Sequence, residues 1–112
     1  MARHLVVFIT TGSSEEAQKI AHALVEERLV ACVNIVAPIQ SVYRWQEKIQ
    51  VDQETLLIVK TTAKAMEKLA KRVKQLHSYE LPEIIAVPIL AGARDYLHWM
   101  DEQIQATAGS LP

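Results

Sequence analysis

The sequence LVVFITTGSSEE, residues 5–16, is the starting point for predicting the fold, because it contains a buried strand and the start of a helix. Leu5–Ile9 are consecutively apolar, a pattern typical of a strand that is buried on both faces. Ser13 and Glu16 match a capping box, in which both side chains satisfy backbone N–H groups at a helix start. Apolar residues then recur at helical spacing as far as Val25, so the segment predicts a strand followed by an amphipathic helix.

Downstream of this helix, two long extended segments predict a hairpin. Residues 30–45 are rich in Val, Ile and Tyr and contain Pro38, which cannot donate a hydrogen bond to a neighbouring strand and therefore indicates a sheet edge or a bulge. Residues 49–60 form the second segment after a short polar break, and they end in the apolar run Leu56–Val59.

The rest of the chain completes a β-α-β-β-α-β order. A second helix is predicted from Thr62, a fourth strand over residues 83–90 with Pro88 inside it, and a third, shorter helix over residues 96–104. The two strand prolines fall in strands two and four, whereas strands one and three are uninterrupted. This pattern predicts an α+β, ferredoxin-like βαββαβ sandwich of sheet order 4-1-3-2 with an extra C-terminal helix.

Length and composition limit the classes of function. The 112 residues favour a single domain, 1–112, with a flexible tail over about 107–112. Twelve Lys and Arg against thirteen Asp and Glu give a net charge of -1, which argues against nucleic acid as a partner. The sequence contains no recognisable signal peptide or membrane span, and its single cysteine suits a reducing compartment. We therefore expect a cytoplasmic protein without a membrane partner.

The predicted sandwich leaves one sheet face uncovered. Both crossover helices lie on the other face, yet the two central strands are apolar on both sides. An apolar face of this size exceeds what monomers normally expose. The long hairpin should also project past the sheet with free edges, which are templates for pairing with another chain. These features predict a closed homo-oligomer.

A few polar residues near strand ends are candidates for chemistry. Cys32 is either a small buried hydrophobe or a soft ligand for copper or zinc. His77 is either a metal ligand or a residue that complements the dipole at a helix end. Glu80 and Glu83 flank a proline and could bind a cation, act as an acid and base pair, or form ordinary ion pairs.

Four further residues are notable for their positions. Lys60 ends the apolar run of strand three, where a charge needs a partner. Tyr79 offers a hydroxyl beside the two glutamates. Tyr43 and Trp45 lie near the hairpin tip, where aromatic residues favour an oligomer contact. Phosphate-binding glycine loops and nucleophile elbows are absent from the sequence, so no enzyme class is indicated.

Six blocks in order along nearly the whole chain match one known family: ACVNI (31–35), SVYRW (41–45), KI (48–49), KTT (60–62), YELPEI (79–84) and YLHW (96–99). Together they resemble the CutA divalent-cation tolerance family. The resemblance implies a ferredoxin-like subunit in a tight homotrimer similar to the PII signalling proteins. It also implies a role in tolerance of divalent metals, copper above all, and no established enzymatic reaction.

The resemblance implies roles for single residues. Cys32 and His77 match proposed copper ligands, and Tyr43 and Trp45 match an aromatic arm. A cleft between subunits is implied for Asn34, Lys60, Tyr79, Glu80 and Glu83.

Two departures from the family pattern stand out. Glu47 stands where Gly is common in the hairpin turn, and Ser78 stands where Pro is common after His77.

Two functions follow as hypotheses. The first is a non-enzymatic trimer that binds a divalent metal ion, with copper foremost, through Cys32 together with His77 or the carboxylates of Glu80 and Glu83. The alternative is a PII-like sensor or scaffold, which binds an anionic metabolite in the intersubunit cleft through Lys60. An enzyme that uses one of the glutamates as a base is a third hypothesis, for which the sequence suggests no substrate.

Overall fold

The computed structural model describes residues 3–105, and the predicted tail over 107–112 lies outside them. The elements follow the predicted order, with a 3-10 turn at Ala63–Ala65 before the second helix: β1 (His4–Thr11), α1 (Ser14–Glu26), β2 (Cys32–Trp45), β3 (Lys48–Thr62), α2 (Met66–Leu76), β4 (Ile84–Pro88) and α3 (Arg94–Gln103).

Several element bounds differ from the prediction, and two of these differences have a local cause. β4 ends at Pro88 because proline has no N–H to donate, and a single backbone bond follows it, from Ile89 N–H to the His4 carbonyl at 2.9 Å. α2 begins at Met66, later than the predicted start at Thr62, because the chain first completes the 3-10 turn.

All strand pairs are antiparallel, and the sheet order is β2-β3-β1-β4. This order confirms the predicted ferredoxin-like α+β sandwich. Both strand prolines lie in edge strands, as expected. Pro38 coincides with a register shift between Val36 and Ile39, and Pro88 is the last residue of β4.

The start of α1 forms half of the predicted capping box. The Ser13 hydroxyl accepts a hydrogen bond from Glu16 N–H at 3.2 Å. The Glu16 carboxylate does not return this bond to Ser13. It accepts instead from the Ser78 N–H at 2.6 Å and from the Ser78 hydroxyl at 3.0 Å. Glu16 therefore holds the segment after α2 in place through two hydrogen bonds. A proline in place of Ser78 would offer the Glu16 carboxylate neither of these donors.

One face of the sheet packs against α1 and α2. Val7 and Ile9 of β1 lie opposite Val59 and Leu57 of β3, and all four side chains are fully buried. They form one core cluster with residues of the two helices, among them Ala17, Ile20, Leu24, Leu69 and Val73.

The opposite face, here called the open face, is also apolar. Antiparallel register places Ile85, Phe8 and Ile58 in one row across three strands and Val87 beside Val6 in the next. Ile85 is 55% exposed and Val87 is 43% exposed. The open face consists of Val6, Phe8, Leu56, Ile58, Ile85 and Val87.

The β2–β3 hairpin continues beyond the sheet. β1 ends at Thr11 opposite Thr55, whereas β2 and β3 stay paired as far as Trp45 and Lys48. This projecting part, residues 39–54, is here called the arm. Its two-residue turn holds Gln46 at φ 51° and Glu47 at φ 66°. Both values lie in the left-handed region, so the turn keeps the shape for which glycine is favoured without containing one.

α3 is held at the end of the sheet where β1 begins. The Asp101 carboxylate lies 2.9 Å from His4 Nε2, and the Arg28 guanidinium donates to the carbonyls of Glu102 and Gln103 at 2.8 and 3.1 Å. Within residues 3–105, no helix has the length and apolar character needed to cross a membrane.

Candidate functional site

Six of the predicted site residues fall into two groups within the chain. Cys32, Asn34 and Lys60 lie near the end of the sheet where β1 begins, and Tyr79, Glu80 and Glu83 lie near the end where β1 finishes. Lys60 pairs with Val6, whereas Thr10, beside the second group, pairs with Leu56. At about 3.3 Å per residue, these two rows are about 13 Å apart along β3.

The first group is built by the register of β2 on β3. Cys32 is the first residue of β2 and lies directly opposite Lys60, on the same side of the sheet as the open face. The Cys32 thiol is partly exposed and forms no disulfide. The Lys60 ammonium donates to the Asn34 side-chain oxygen, so this charge has a neutral partner and no carboxylate within the described residues.

The second group surrounds a cavity of about 710 Å³ between the arm and the segment that follows α2. We call this cavity the acidic cleft. Its walls carry four carboxylates, from Asp52, Glu54, Glu80 and Glu83, and three aromatic rings, from Tyr43, Trp45 and Tyr79.

Two phenol–carboxylate hydrogen bonds order the walls of the acidic cleft. The Tyr79 hydroxyl donates to Glu54 Oε2 at 2.7 Å, and the Tyr43 hydroxyl donates to Asp52 Oδ2. Burial, and next the hydrogen bond to Glu54, raise the pKa of Tyr79 above the usual 10.0. The hydrogen bond to Asp52 raises the pKa of Tyr43 in the same direction. Both phenols therefore keep the protons that they donate in these hydrogen bonds at pH 7.

His77 lies behind the wall of the acidic cleft and forms hydrogen bonds to two of its lining residues, Tyr79 and Thr10. Its side chain is fully buried, its Nδ1 accepts from Tyr79 N–H at 3.0 Å, and its Nε2 lies 2.7 Å from the Thr10 carbonyl. Since Nδ1 accepts, Nε2 carries the proton and donates to Thr10. Both ring nitrogens are thus used, so binding a metal would require His77 to give up one of these bonds.

Gly12 lets Tyr79 approach the end of β1. A Cβ atom at Gly12 would lie 3.1 Å from the Tyr79 hydroxyl oxygen, closer than most van der Waals contacts. The absence of a side chain here leaves Tyr79 free to reach Glu54.

The site residues do not form a metal centre within one subunit. Among residues 3–105, no three His, Cys, Asp or Glu side chains are grouped closely enough to hold an ion. Glu80 and Glu83 both reach the acidic cleft, but Cys32 lies with the other group, and His77 lies behind the wall.

Comparison with known proteins identifies the family. A family model described as CutA1 divalent ion tolerance protein matches residues 5–103. The chain belongs to the CutA1 divalent ion tolerance family. A divalent-cation tolerance protein CutA from Thermus thermophilus is 59% identical over 97 residues, which are 87% of this chain and 94% of that protein. The chain spans only 53% of a chloroplastic CutA from Arabidopsis thaliana, to which it is 46% identical over 86% of its own length.

Solved CutA1 structures share the fold. A Thermus thermophilus CutA1 structure matches with a TM-score of 0.90 at 56% identity and covers 91% of this chain and 99% of its own. A CutA1 from Oryza sativa matches with a TM-score of 0.92 at 40% identity and covers 95% and 97% of the two chains. A CutA described as periplasmic, from Archaeoglobus fulgidus, matches at 42% identity with a TM-score of 0.89 over 91% and 99% of the chains.

In this CutA1 chain, sequence reasoning overlooked two residues of the acidic cleft. Asp52 and Glu54 precede the apolar run of β3 and were not singled out as candidates. One signal was available, because Asp52 and Glu54 continue the alternation of Leu56 and Ile58 and must therefore share their side of the strand.

The tyrosine–carboxylate bonds predict an alkaline titration. Tyr79 should remain protonated above pH 10.0, where an unfolded tyrosine ionises, so its stabilising effect is complete below pH 10.0 and is lost as the pH rises further. Glu54→Gln should lower the pKa of Tyr79, because it removes the negative charge beside the phenol. Phenolate absorbance, taken as the difference between each protein and its Tyr79→Phe counterpart, measures this pKa.

Glu83→Gln is the matched control, because Glu83 lines the same cleft without a bond to Tyr79. An equal drop of the Tyr79 pKa in both variants would contradict the assignment to Glu54.

Proposed function

We propose that this protein acts in divalent-cation tolerance as a non-enzymatic homotrimer that binds a metal ion, with copper the leading candidate. The observation that carries the proposal is the match of the CutA1 family model over residues 5–103. The open face supports the assembly, because its apolar rows need neighbouring copies to remove them from water. A PII-like arrangement of three copies would cover all three open faces at once.

Metal binding in this proposal depends on assembly. One subunit supplies a thiol at Cys32 but, within the described residues, no complete set of ligands around it. Cys32 lies on the side of the open face, so neighbouring copies would approach it there. Thiolates select soft ions such as Cu(I), which makes Cys32 the proposed primary ligand. Glu80 and Glu83 are proposed as oxygen donors, and His77 stays a predicted ligand that must first release Tyr79 N–H or the Thr10 carbonyl.

A copper titration tests the thiol role. Cys32→Ser should weaken Cu(I) binding by on the order of 100-fold, since the soft ligand is replaced by a hydroxyl. Native mass spectrometry of the intact assembly, with a competing chelator, reports both the affinity and the number of chains.

His98→Ala is the control for this titration, because His98 is an exposed imidazole whose side chain is 71% accessible and pairs with Glu102. Unchanged copper affinity in Cys32→Ser would refute the thiol role, and a fall in both variants would indicate adventitious surface binding.

A second candidate function is favoured by the size of the acidic cleft. A cavity of about 710 Å³ falls in the range of small-molecule sites and is larger than one hydrated ion needs. We propose that the cleft serves a small-molecule sensor or scaffold. The predicted cleft ligand was an anion held by Lys60, but on one subunit Lys60 lies with Cys32 and Asn34, away from the cleft. Contact of Lys60 with a cleft ligand would therefore come from a neighbouring copy.

Two further expectations stand as proposals. The family is named for tolerance and not for a reaction, which supports the proposal that the protein is not an enzyme. A cytoplasmic location stays a prediction, because the relatives include proteins described as chloroplastic and periplasmic.

A further inference from the structure

We propose that the outer face of α2 is a docking surface for an acidic, helical segment of another protein. The surface contains an open groove of about 240 Å³ between α2 and the turn that connects α1 to β2. The inference goes beyond cation tolerance and uses no residue of the acidic cleft, the arm or the open face. We call this surface the basic groove, and it is lined by Glu27, Leu29, Lys68, Lys71, Arg72 and Gln75.

The basic groove stays accessible in the proposed homotrimer. α2 packs on the sheet face opposite the open face, with Leu69 and Val73 buried in the core cluster, and the lysines of the groove are exposed on the other side of the helix. The Thr61 hydroxyl donates to the Leu29 carbonyl at 2.8 Å, which places the groove near the end of the sheet where β1 begins. The arm projects from the other end. Both surfaces to which we assign contact between copies therefore lie away from the groove.

The charge of the basic groove favours an acidic partner. Lys64, in the 3-10 turn before α2, is followed by Lys68 and Lys71 at spacings of four and three residues, which place the three side chains in one stripe. None of these lysines forms an ion pair within residues 3–105. The Glu27 carboxylate in the groove is already bound by Arg72, through hydrogen bonds of 2.9 to 3.1 Å. The stripe thus has an excess of positive charge, although the whole chain has a net charge of -1.

The distribution of charge around the stripe favours separate carboxylates over a continuous polyanion. The stripe from Lys64 to Lys71 is only about 11 Å long, at about 1.5 Å per residue. Glu67 lies one helical turn from both of these lysines, and Glu27 lies in the groove itself, so a phosphate chain running along the stripe would meet two carboxylates. Glutamates one turn apart on a docked helix match the lysine spacing and can leave neutral residues beside Glu67 and Glu27. A protein segment therefore fits the surface better than a nucleic acid does.

The walls of the groove suit one apolar side chain of the docked segment. Leu29, which is 8% exposed, lines the groove together with the methylene groups of Lys68 and Lys71. A volume of about 240 Å³ is below the range of small-molecule sites, so a single side chain is the better match. Arg72 is held by Glu27 and also donates to the Gln75 side-chain oxygen at 3.1 Å, which orders this wall before docking.

Fluorescence anisotropy of the full-length wild-type protein with a labelled helical peptide tests the proposal. The probe is about 15 residues long and places one leucine between glutamates that recur at spacings of three and four residues in an alanine background. The control peptide has the same composition, with its glutamates spread around the helix. The probe should bind saturably and at least about fivefold more tightly than the control peptide, because only the probe presents its carboxylates on one side.

Lys68→Glu should weaken binding of the probe by about tenfold, because it reverses the charge at the centre of the stripe. The new carboxylate would lie one turn from Lys64 and from Arg72, so the helix should tolerate it. Lys68→Arg keeps the charge and should change the affinity less than about twofold. Lys19→Glu is the matched control, because Lys19 is an exposed lysine of α1 that does not line the groove. The mass and the unfolding temperature of each variant separate a loss of binding from a loss of structure.

Four outcomes would overturn the proposal. Absence of probe binding, or equal binding of the two peptides, would exclude a surface that selects aligned carboxylates. An equal loss of affinity in Lys68→Glu and Lys19→Glu would reduce the effect to the net charge of the protein. Tighter binding of inorganic polyphosphate than of the probe, at equal ligand charge, would assign the surface to a phosphate polymer. The copper titration of Cys32→Ser is independent of these outcomes, because Cys32 does not line the basic groove.

Discussion

Ile85→Lys is expected to convert the proposed homotrimer into single chains of 12.6 kDa with a much lower unfolding temperature. Ile85 is 55% exposed in the isolated subunit and lies in the same row as Phe8 and Ile58 on the open face. A lysine at this position would remain in water in a single chain, so the subunit itself should lose little stability. In a trimer that buries the open face, the ammonium would lose its hydration without a partner.

The expected size of this effect follows from the surface involved. Each large apolar side chain fully removed from water contributes about 1.5–3 kcal/mol, and several such side chains form the open face. A buried unpaired charge opposes this gain by several kcal/mol. A penalty of about 4 kcal/mol would lower the association constant about 1000-fold. Sedimentation equilibrium and the unfolding temperature at one fixed protein concentration measure both consequences.

Val25→Lys is the matched control for this prediction. Val25 has a similar exposure of 46% but lies on α1, in the helix layer and away from the open face. We expect this variant to keep the mass of three chains. If Ile85→Lys also kept that mass and its unfolding temperature, the open face would not be the assembly surface.

The fold could be predicted from the sequence because the positions of the prolines and of the uninterrupted apolar runs agree with the strand order. Pro38 and Pro88 cannot donate to a neighbouring strand, so they place their strands at the edges, and Leu5–Ile9 and Leu56–Val59 are apolar without interruption because their strands are central. Strand order and the uncovered face follow from these positions together with the β-α-β-β-α-β order of the elements. The exact end of β4 could not be predicted, because the strand ends at Pro88 although the next residue, Ile89, still donates its N–H to the His4 carbonyl.

The site was less accessible to sequence reasoning because its contacts depend on register. Tyr43 lies opposite Gln50, yet its hydroxyl reaches Asp52, a diagonal partner that only a known register reveals. His77 bonds the carbonyl of Thr10, 67 positions earlier in the chain. Cys32 and Glu80 are both plausible metal donors by residue type, but the sheet separates them within one subunit. Residue types therefore indicate which side chains could bind a metal, whereas the contacts between those side chains can be predicted only once the strand register is known.

His77→Leu is expected to lower the free energy of unfolding by about 2–4 kcal/mol, because two hydrogen bonds lose their partner. In the folded protein, Tyr79 N–H donates to Nδ1 at 3.0 Å, and Nε2 donates to the Thr10 carbonyl at 2.7 Å. Leucine fills a similar volume without either function, so both backbone groups would remain near a buried position without a partner. The ring contact with Tyr79, whose centroid lies 4.7 Å away, would also be lost.

Urea unfolding at one fixed protein concentration measures this loss, with His98→Leu as the control. The His98 side chain is 71% accessible, so its replacement should change the midpoint very little. Copper titration of the same two variants separates structure from ligation. A large loss of stability would support a structural role for His77, in which its two hydrogen bonds hold Tyr79 and Thr10 in place. A loss of copper affinity at unchanged stability would contradict that role and would make His77 a metal ligand. In that case the hydrogen bonds of His77 to Thr10 and Tyr79 would contribute little to the stability of the fold, so the imidazole could break them to bind an ion.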